Sequence, residues 1–300
     1  MAMKKGKSLG QYHSSKTGYL YMAPFLVLFT VFVIAPVIIV LALSFTNYNM
    51  LQAPSFVGLQ NYERLFLEDD IFSLAISNTF VFALFIGPLT YCMSFFMAWL
   101  LNNRRFENAL SLCFYVPSIT SSIAMTTVWL YLFSNDRAGL INNLLLTLGF
   151  IRTPIYWNQS AQYIFPVVIL ISVWMGMGTG FLVFLAGLKN MPEEVFEAGR
   201  IDGLRNKWQE LFYLTIPLMK PQLLFGAINS IVGSFAVFDV AVQFAGMPSP
   251  NYAAHTIVAH LFDYAFFRFQ MGYASAIAVI LFAITFILGQ ICMRLFRSDD

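Results

Sequence analysis

Charge is scarce in this 300-residue sequence: Asp, Glu, Lys and Arg together make up 11% of it. A soluble domain carries about 25%, and so few charges cannot cover a surface that faces water on all sides. A net charge of +2 leaves no basic footprint of the kind that nucleic-acid binding needs. Cysteine is nearly absent as well. Cys92, Cys113 and Cys292 stand far apart in apolar stretches without metal-ligand spacing, and they read as small apolar residues that imply no disulfide. No G-x-x-x-x-G-K-[ST] loop occurs, so the phosphate cradle of a nucleotide site is missing. Gly176, Gly178 and Gly180 form a glycine run inside an apolar stretch, with no following Lys, where close helix packing is the expected use. His255 and His260 are five apart, a spacing that does not put both on one helix face and argues against a metal pair. No nucleophile–base pair suggests an enzyme. Low-complexity segments and clear internal repeats are lacking too, which leaves one domain.

Apolar residues fill the space that charge vacates. They make up 59% of the chain, with 32 phenylalanines, and the excess is suited to lipid. A spanning helix needs about 20 mostly apolar residues. Six segments meet or approach that: 19–45, 72–101, 110–134, 162–188, 218–243 and 272–296. The expected domain is therefore residues 19–296, between an N-terminal tail at 1–18 and a C-terminal tail at 297–300. The first apolar run outlasts the 7–15 residues of a signal-peptide core and contains Pro24 and Pro36, so it reads as a retained span. The fifth is the most polar, with Asn229, Ser230, Ser234, Asp239 and Gln243. Polar groups in a span are expensive and point to a face that avoids lipid. Of the 17 basic residues, only Arg64, Arg137, Arg152 and Arg268 fall in alternate loops. The rest predict, by the positive-inside bias, that both termini and the loop 189–217 are cytoplasmic.

That loop is the longest and most charged of the inner connections. Pro192 followed by Glu193 and Glu194 suits a helix start, since the missing proline N–H costs little there and acids favour the positive end of the helix dipole. A helix over Pro192–Ile201, a tight turn at Gly203 and a second short helix over Asn206–Leu214 are predicted. Val195, Phe196, Ala198, Trp208, Leu211 and Phe212 give the pair apolar faces. Two readings follow: a docking site for a separate protein, or an amphipathic pair lying on the lipid surface.

Glu197-Ala198-Gly199, Asp202-Gly203 and Leu214-Thr215-Ile216-Pro217 resemble the EAA loop of binding-protein-dependent ABC importer permeases. Gly199 stands where the pattern has a second Ala, and the stretch after Gly203 is one residue longer. Phe56–Tyr62, Asn78-Thr79, Trp174–Gly178, Phe235–Asp239 and Met271–Ala276 are similar, in order, to the sugar-importing branch and to the maltose importer's larger membrane subunit. The resemblance implies an all-α integral membrane protein with the type I ABC importer permease fold: six transmembrane helices and a helical coupling loop between the fourth and fifth. It also implies a second, homologous permease subunit, two ATPase subunits that bind ATP and Mg, and an external sugar-binding protein, in a prokaryotic cytoplasmic membrane. Glu197, Ala198, Gly199, Asp202 and Gly203 would then face the ATPase.

Ser230, Ser234 and Val237 or Phe238 share a face if the fifth span is one continuous helix. Met175, Gly176 and Thr179 have similar spacing in the fourth. In the resembling branch these two helices line the sugar site, which nominates Met175, Gly176, Thr179, Ser230, Ser234 and Val237; helix packing by small residues is the competing reading. Asp239, near the outer end of the fifth span, is placed with these residues on the substrate pathway: it can bind a sugar hydroxyl, pair with Arg268 or sit in a wet vestibule, and a vestibule group or a structural hydrogen bond is the favoured reading. The loop Gly246–Pro250 stands where the external binding protein would touch. An ion-coupled carrier is the alternative function. It would need paired acids and bases within the spans, and only Asp239 is a plausible acid there.

Overall fold

The computed structural model describes residues 16–102, 104 and 107–296. Most of the expected N-terminal tail, Arg105 and the C-terminal tail lie outside the described residues. The first span is a helical path of α1 (Lys16–Phe29), a π-helical turn at Thr30–Ile34, and α2 (Ala35–Leu43). The wide turn has a local cause. A proline ring crowds the carbonyl four residues back and supplies no N–H. The Ala35 N–H reaches back five residues to the Thr30 carbonyl, immediately before Pro36, and the added residue relieves the crowding. No side chain from Tyr21 to Leu43 is buried.

A two-stranded ribbon, β1 (Thr46–Asn47) with β2 (Ser55–Phe56), and α3 (Gln60–Leu67) lead to α4 (Asp70–Leu101). The third expected span is not one rod. It breaks into α5 (Glu107–Ile119) and α6 (Ser122–Leu132), bent by 103°. Pro117 sits near the end of α5, and Ser121 takes an extended backbone, which stops the helix. The segment 133–160 follows, with α7 (Leu140–Thr147). Buried Asn142 ties it together: its amide donates to the carbonyls of Ser134, Asp136 and Ile155, and its oxygen accepts from Ile155 N–H and the Trp157 indole.

The fourth span, α8 (Ala161–Lys189), packs most extensively on α4. Its glycine run makes that possible. A Cβ at Gly176 or Gly180 would lie 3.3 Å from Thr90 or Ser94 of α4, and one at Gly178 only 2.2 Å from Ser118 Oγ of α5. Beyond it come α9 (Glu193–Ile201), α10 (Lys207–Glu210), a second π-helical turn at Leu211–Thr215, and α11 (Ile216–Leu218). This wide turn also ends just before a proline, Pro217.

The fifth span is discontinuous. α12 (Lys220–Phe235) stops, residues 236–238 unwind, and α13 (Asp239–Ala245) resumes until Gly246 at φ +81°. Open backbone inside a membrane must be satisfied by the protein itself. Here the Thr256 hydroxyl donates to the freed Val237 carbonyl at 3.0 Å. The two breaks meet: Ser122 Oγ, opening α6, donates to Asp239 Oδ2, opening α13, at 2.9 Å. Residues 246–270 then carry α14 (Ile257–Phe262) and a third π-helical turn at Asp263–Phe267, before α15 (Met271–Phe296). Among the described residues five helical stretches are long and apolar enough to span a membrane, or six if the bent α5–α6 pair counts as one span.

Near the start of α15, the Gly272 N–H donates to the Tyr48 carbonyl, and a Cβ there would lie 2.0 Å from the Thr46 carbonyl oxygen. Gly289 has open space around it. Gly272→Ala should therefore destabilise the protein by about 1–3 kcal/mol, as overpacking does, while Gly289→Ala is near neutral. Thermal unfolding of the detergent-solubilised protein measures both.

Candidate functional sites

Three places concentrate chemistry. The first is the projecting loop 189–217. The chain after α9 returns through an arrangement that satisfies the last carbonyls: Asp202 N–H bonds to Ala198, Gly203 N–H to Arg200, and Leu204 N–H to Gly199. Gly203 sits at φ +101°, which glycine alone adopts without strain. Asn206 caps α10 by accepting from Gln209 N–H at 2.8 Å, and Gln209 Oε1 accepts from Arg205 N–H. An Arg200–Glu210 pair at 2.9 Å joins the two helices. The Trp208 ring lies 5.1 Å from that of Trp99, at the end of α4.

Glu197, Ala198, Asp202 and Gly203 are exposed, whereas Gly199 is buried. A Cβ at Gly199 would sit 2.8 Å from Leu214 and 2.9 Å from Leu204. The departure from Ala is thus matched inside the loop by two leucines, and Gly199 does not face outward. Ile201, 87% exposed at the end of α9, was not singled out from the sequence. Its apolar character beside the Asp202-Gly203 pair was the available signal.

The second place is a cavity of about 330 Å³ between α4, α8 and α12. It gathers Gly176, Thr179, Ser230, Ser234 and Val237 of the residues nominated from sequence. Val237 reaches it from the unwound segment, not from a helical face shared with Ser230 and Ser234, because the helix ends at Phe235. Met175 is not part of the lining; it packs partly buried against the core that contains Ile86 and Ile171. Asp239 is not part of it either. Its carboxylate is exposed and holds the Ser122 hydroxyl, and Arg268 pairs instead with Asp263 at 2.7 Å. Sequence reasoning missed Thr90 and Ser94 on α4 and Ser172 on α8, and noted Asn229 on α12 only as one of the polar residues of the fifth span. The four-residue interval between Thr90 and Ser94 was a visible helical face.

The third place lies at the end of the bundle away from the projecting loop. Asp69 caps α4 by accepting from Phe72 N–H at 2.9 Å. The same carboxylate takes hydrogen bonds from Tyr273 at 2.7 Å and Tyr264 at 3.3 Å, and faces His260 Nε2 at 3.1 Å. His260 Nδ1 meets His255 Nε2 at 3.1 Å. The two imidazoles touch despite their five-residue interval, because His255 precedes α14 and is not on its helical face. Arg64 stacks over Tyr273, with its guanidinium carbon 4.3 Å from the ring centre, and donates to Gln270. Arg268 covers Tyr264.

Burial pushes His255 down to about 4, and neighbouring His260 adds to the effect. Burial lowers His260 too, against the opposing pull of Asp69. For Asp69, burial raises the carboxyl, but Tyr273, Phe72 N–H and His260 together outweigh it and hold it below the usual range. Both histidines are therefore neutral near pH 7: His260 donates its Nε2–H to Asp69, and its Nδ1 accepts from His255 Nε2–H.

The matches to known proteins follow this geometry. Residues 90–298 match the family described as "Binding-protein-dependent transport system inner membrane component". The chain is 35% identical to the probable ABC transporter permease protein YesP of Bacillus subtilis, covering 100% of this chain and 94% of that one. It is 30% identical to the arabinooligosaccharides transport system permease protein AraP of the same species, covering 96% and 90%. With the lactose transport system permease protein LacF of Rhizobium radiobacter it shares 31%, over 93% and 92%. The fold is shared with a chain of a bacterial ABC transporter that imports the acidic polysaccharide alginate, at TM-score 0.80, 18% identity and coverage of 94% and 95%.

The histidine depression fixes a pH dependence. An unfolded chain binds protons at these histidines near the ordinary value of about 6.5, and the folded one resists until about 4 at His255. Stability is therefore full above about pH 6.5 and falls as pH drops from there toward 4. His255→Gln should flatten that decline in a melting-temperature series from pH 7.5 to 4.5.

Proposed function

This chain belongs to the family of binding-protein-dependent transport system inner membrane components, and on that premise we propose that it is a permease subunit of an ATP-driven sugar or oligosaccharide importer. The observation that carries the coupling part is the projecting loop. It is a capped, ion-paired two-helix unit whose exposed residues Glu197, Ala198, Asp202 and Gly203 cluster at one turn. A loop without a partner has no need of such order. The relatives supply the solute class: one is named for arabinooligosaccharides and one for lactose.

In this reading the loop lies in the cytoplasm and receives one of two ATPase subunits, which bind ATP and Mg. A second, homologous permease subunit completes the pore. A solute-binding protein delivers from outside, where the loop Gly246–Pro250 faces. A chain structurally similar to this one has been seen with an alginate pentasaccharide-bound periplasmic protein. Alternating access needs ligands that prefer one state over the other, and ATP and the loaded binding protein serve as those ligands. An ion-coupled carrier is disfavoured by Asp239, the acid expected within a span. It accepts from a serine at a helix break and has no basic side chain paired with it among the described residues.

Glu197→Lys reverses the exposed charge, and Gly203→Trp places a large side chain where φ is +101°. Each should cut co-purification of the ATPase and ATP-driven uptake by about tenfold, the scale of a lost 1.4 kcal/mol, while the permease still reaches the membrane at the wild-type level. Undiminished ATPase capture and uptake in both variants would sink the docking assignment.

A further inference from the structure

Two residues that line the cavity between α4, α8 and α12 carry buried hydroxyls without a partner. Thr90, 8% exposed, and Ser172, 9% exposed, each line it, and neither Oγ1 of Thr90 nor Oγ of Ser172 has a hydrogen-bond partner. This is unusual twice over. Buried hydroxyls are seldom left unpaired. In a helix, moreover, Ser and Thr have a ready acceptor in the carbonyl three or four residues back, and several in this chain use it: Thr79 bonds to Ala75, Thr120 to Val116 and Ser234 to Ile231. Thr90 and Ser172 sit on helices, with the same option available, and do not take it.

The rest of the lining has a consistent chemistry. Ser94, Thr179, Asn229, Ser230 and Ser234 add hydroxyl and amide groups, and glycines 176, 180, 226 and 233 keep the walls low. No ionisable side chain is among the lining residues. Such a surface offers many hydrogen bonds and no counter-charge. A carboxylate or sulfonate taken in here would lose its water without gaining a cation, a costly exchange. A polyhydroxylated neutral solute would instead pair each hydroxyl with a donor or acceptor already in place. The volume of about 330 Å³ stands at the lower end of the about 300–1,000 Å³ of small-molecule sites.

Resting on the permease reading above, we propose that Thr90 and Ser172 bind the transported solute directly and that this face selects uncharged, hydroxyl-rich sugars over acidic ones. It sets the chain apart from its structural neighbour, which imports an acidic polysaccharide. Span two thereby becomes a specificity element alongside spans four and five.

The test uses the assembled complex in proteoliposomes, with the solute-binding protein outside and ATP inside. Lactose and arabinotriose are the neutral probes, and trigalacturonate is the anionic one. The expected result is ATP-driven uptake of a neutral probe and not of trigalacturonate. Thr90→Val combined with Ser172→Ala should raise the half-saturating concentration by about tenfold, the scale set by leaving solute hydroxyls unpaired, with complex assembly at the wild-type level. Thr90→Ser, which keeps the hydroxyl, should stay close to wild type. Were Thr90 only a packing residue the order would reverse, because valine preserves its shape and serine loses its methyl group; that order overturns the proposal. Trigalacturonate uptake equal to the neutral probes overturns the solute class. Loss of all ATP-driven sugar uptake in the wild-type complex would overturn the permease reading as well, whereas normal uptake by the double variant overturns only the inference drawn here. As a second measurement, in a background with Cys92, Cys113 and Cys292 replaced by alanine, Ser172→Cys should react with a small polar thiol reagent and be protected by the transported sugar; reaction without protection counts against binding.

Discussion

In hydrocarbon a backbone N–H or C=O has no water to turn to, and each open group costs several kcal/mol. The whole architecture answers to that constraint. It explains why nearly everything within the bundle is helical, and why the exceptions sit where they do. Spans three and five are both interrupted; a hydroxyl from another element takes an open carbonyl at the second break, and a side-chain hydrogen bond links the two breaks. Thr256 takes the Val237 carbonyl, and Ser122 joins Asp239 across the two breaks. The breaks are thus one feature, not two. The unwound residue Val237 also reaches the cavity wall, so the irregular backbone lies beside the place where a solute would reside.

The same constraint shapes the packing. Lipid offers helices no hydrophobic incentive to associate, and close contact between small residues takes over. The run Gly176, Gly178 and Gly180 lets α8 approach α4 on one side and α5 on the other. Away from that seam the interior is conventional, with Phe82, Phe181, Phe184 and Phe244 fully or almost fully buried. At the far end of the bundle, the relay from Asp69 through His260 to His255 binds α4, α14 and α15 together with neutral imidazoles. Its carboxylate, phenols and imidazoles are linked by hydrogen bonds, and a connected buried polar network stiffens a fold.

Much of this was legible from sequence, because the signals were local or periodic. Apolar run length located the spans, and Pro192, Gly203 and Pro217 punctuated the projecting loop where its helices begin, turn and meet the bundle. The helix breaks were less legible. Pro117 with the Thr120–Ser122 cluster was a warning in span three, but span five is interrupted at Ala236–Phe238, residues that carry no breaker among them; only the tertiary contact with Thr256 makes unwinding tolerable. The histidine pair was missed for a related reason. Helical spacing says nothing about a residue that stands just before the helix. Ser172 was hidden because a lone hydroxyl in an apolar run is ordinary, and Thr90, though it shares a helical face with Ser94, shows no more than spacing; what marks both is a missing partner, and partners are visible only in three dimensions.

The Trp99–Trp208 contact has a mechanical consequence. Trp99 and Thr90 lie on the same helix, nine residues or about 13 Å apart at 1.5 Å per residue. Pro88 falls beyond Thr90, so no proline interrupts the stretch between them. That part of α4 is a short stiff rod with the projecting loop clamped to one end and the cavity wall at the other. Were the loop pushed, so few turns would bend little, and the displacement would reach the cavity as a tilt or a slide of Thr90 against the glycines of α8. Those glycines, having no side chains to lock into the neighbouring grooves, make the surface over which such a slide meets least resistance.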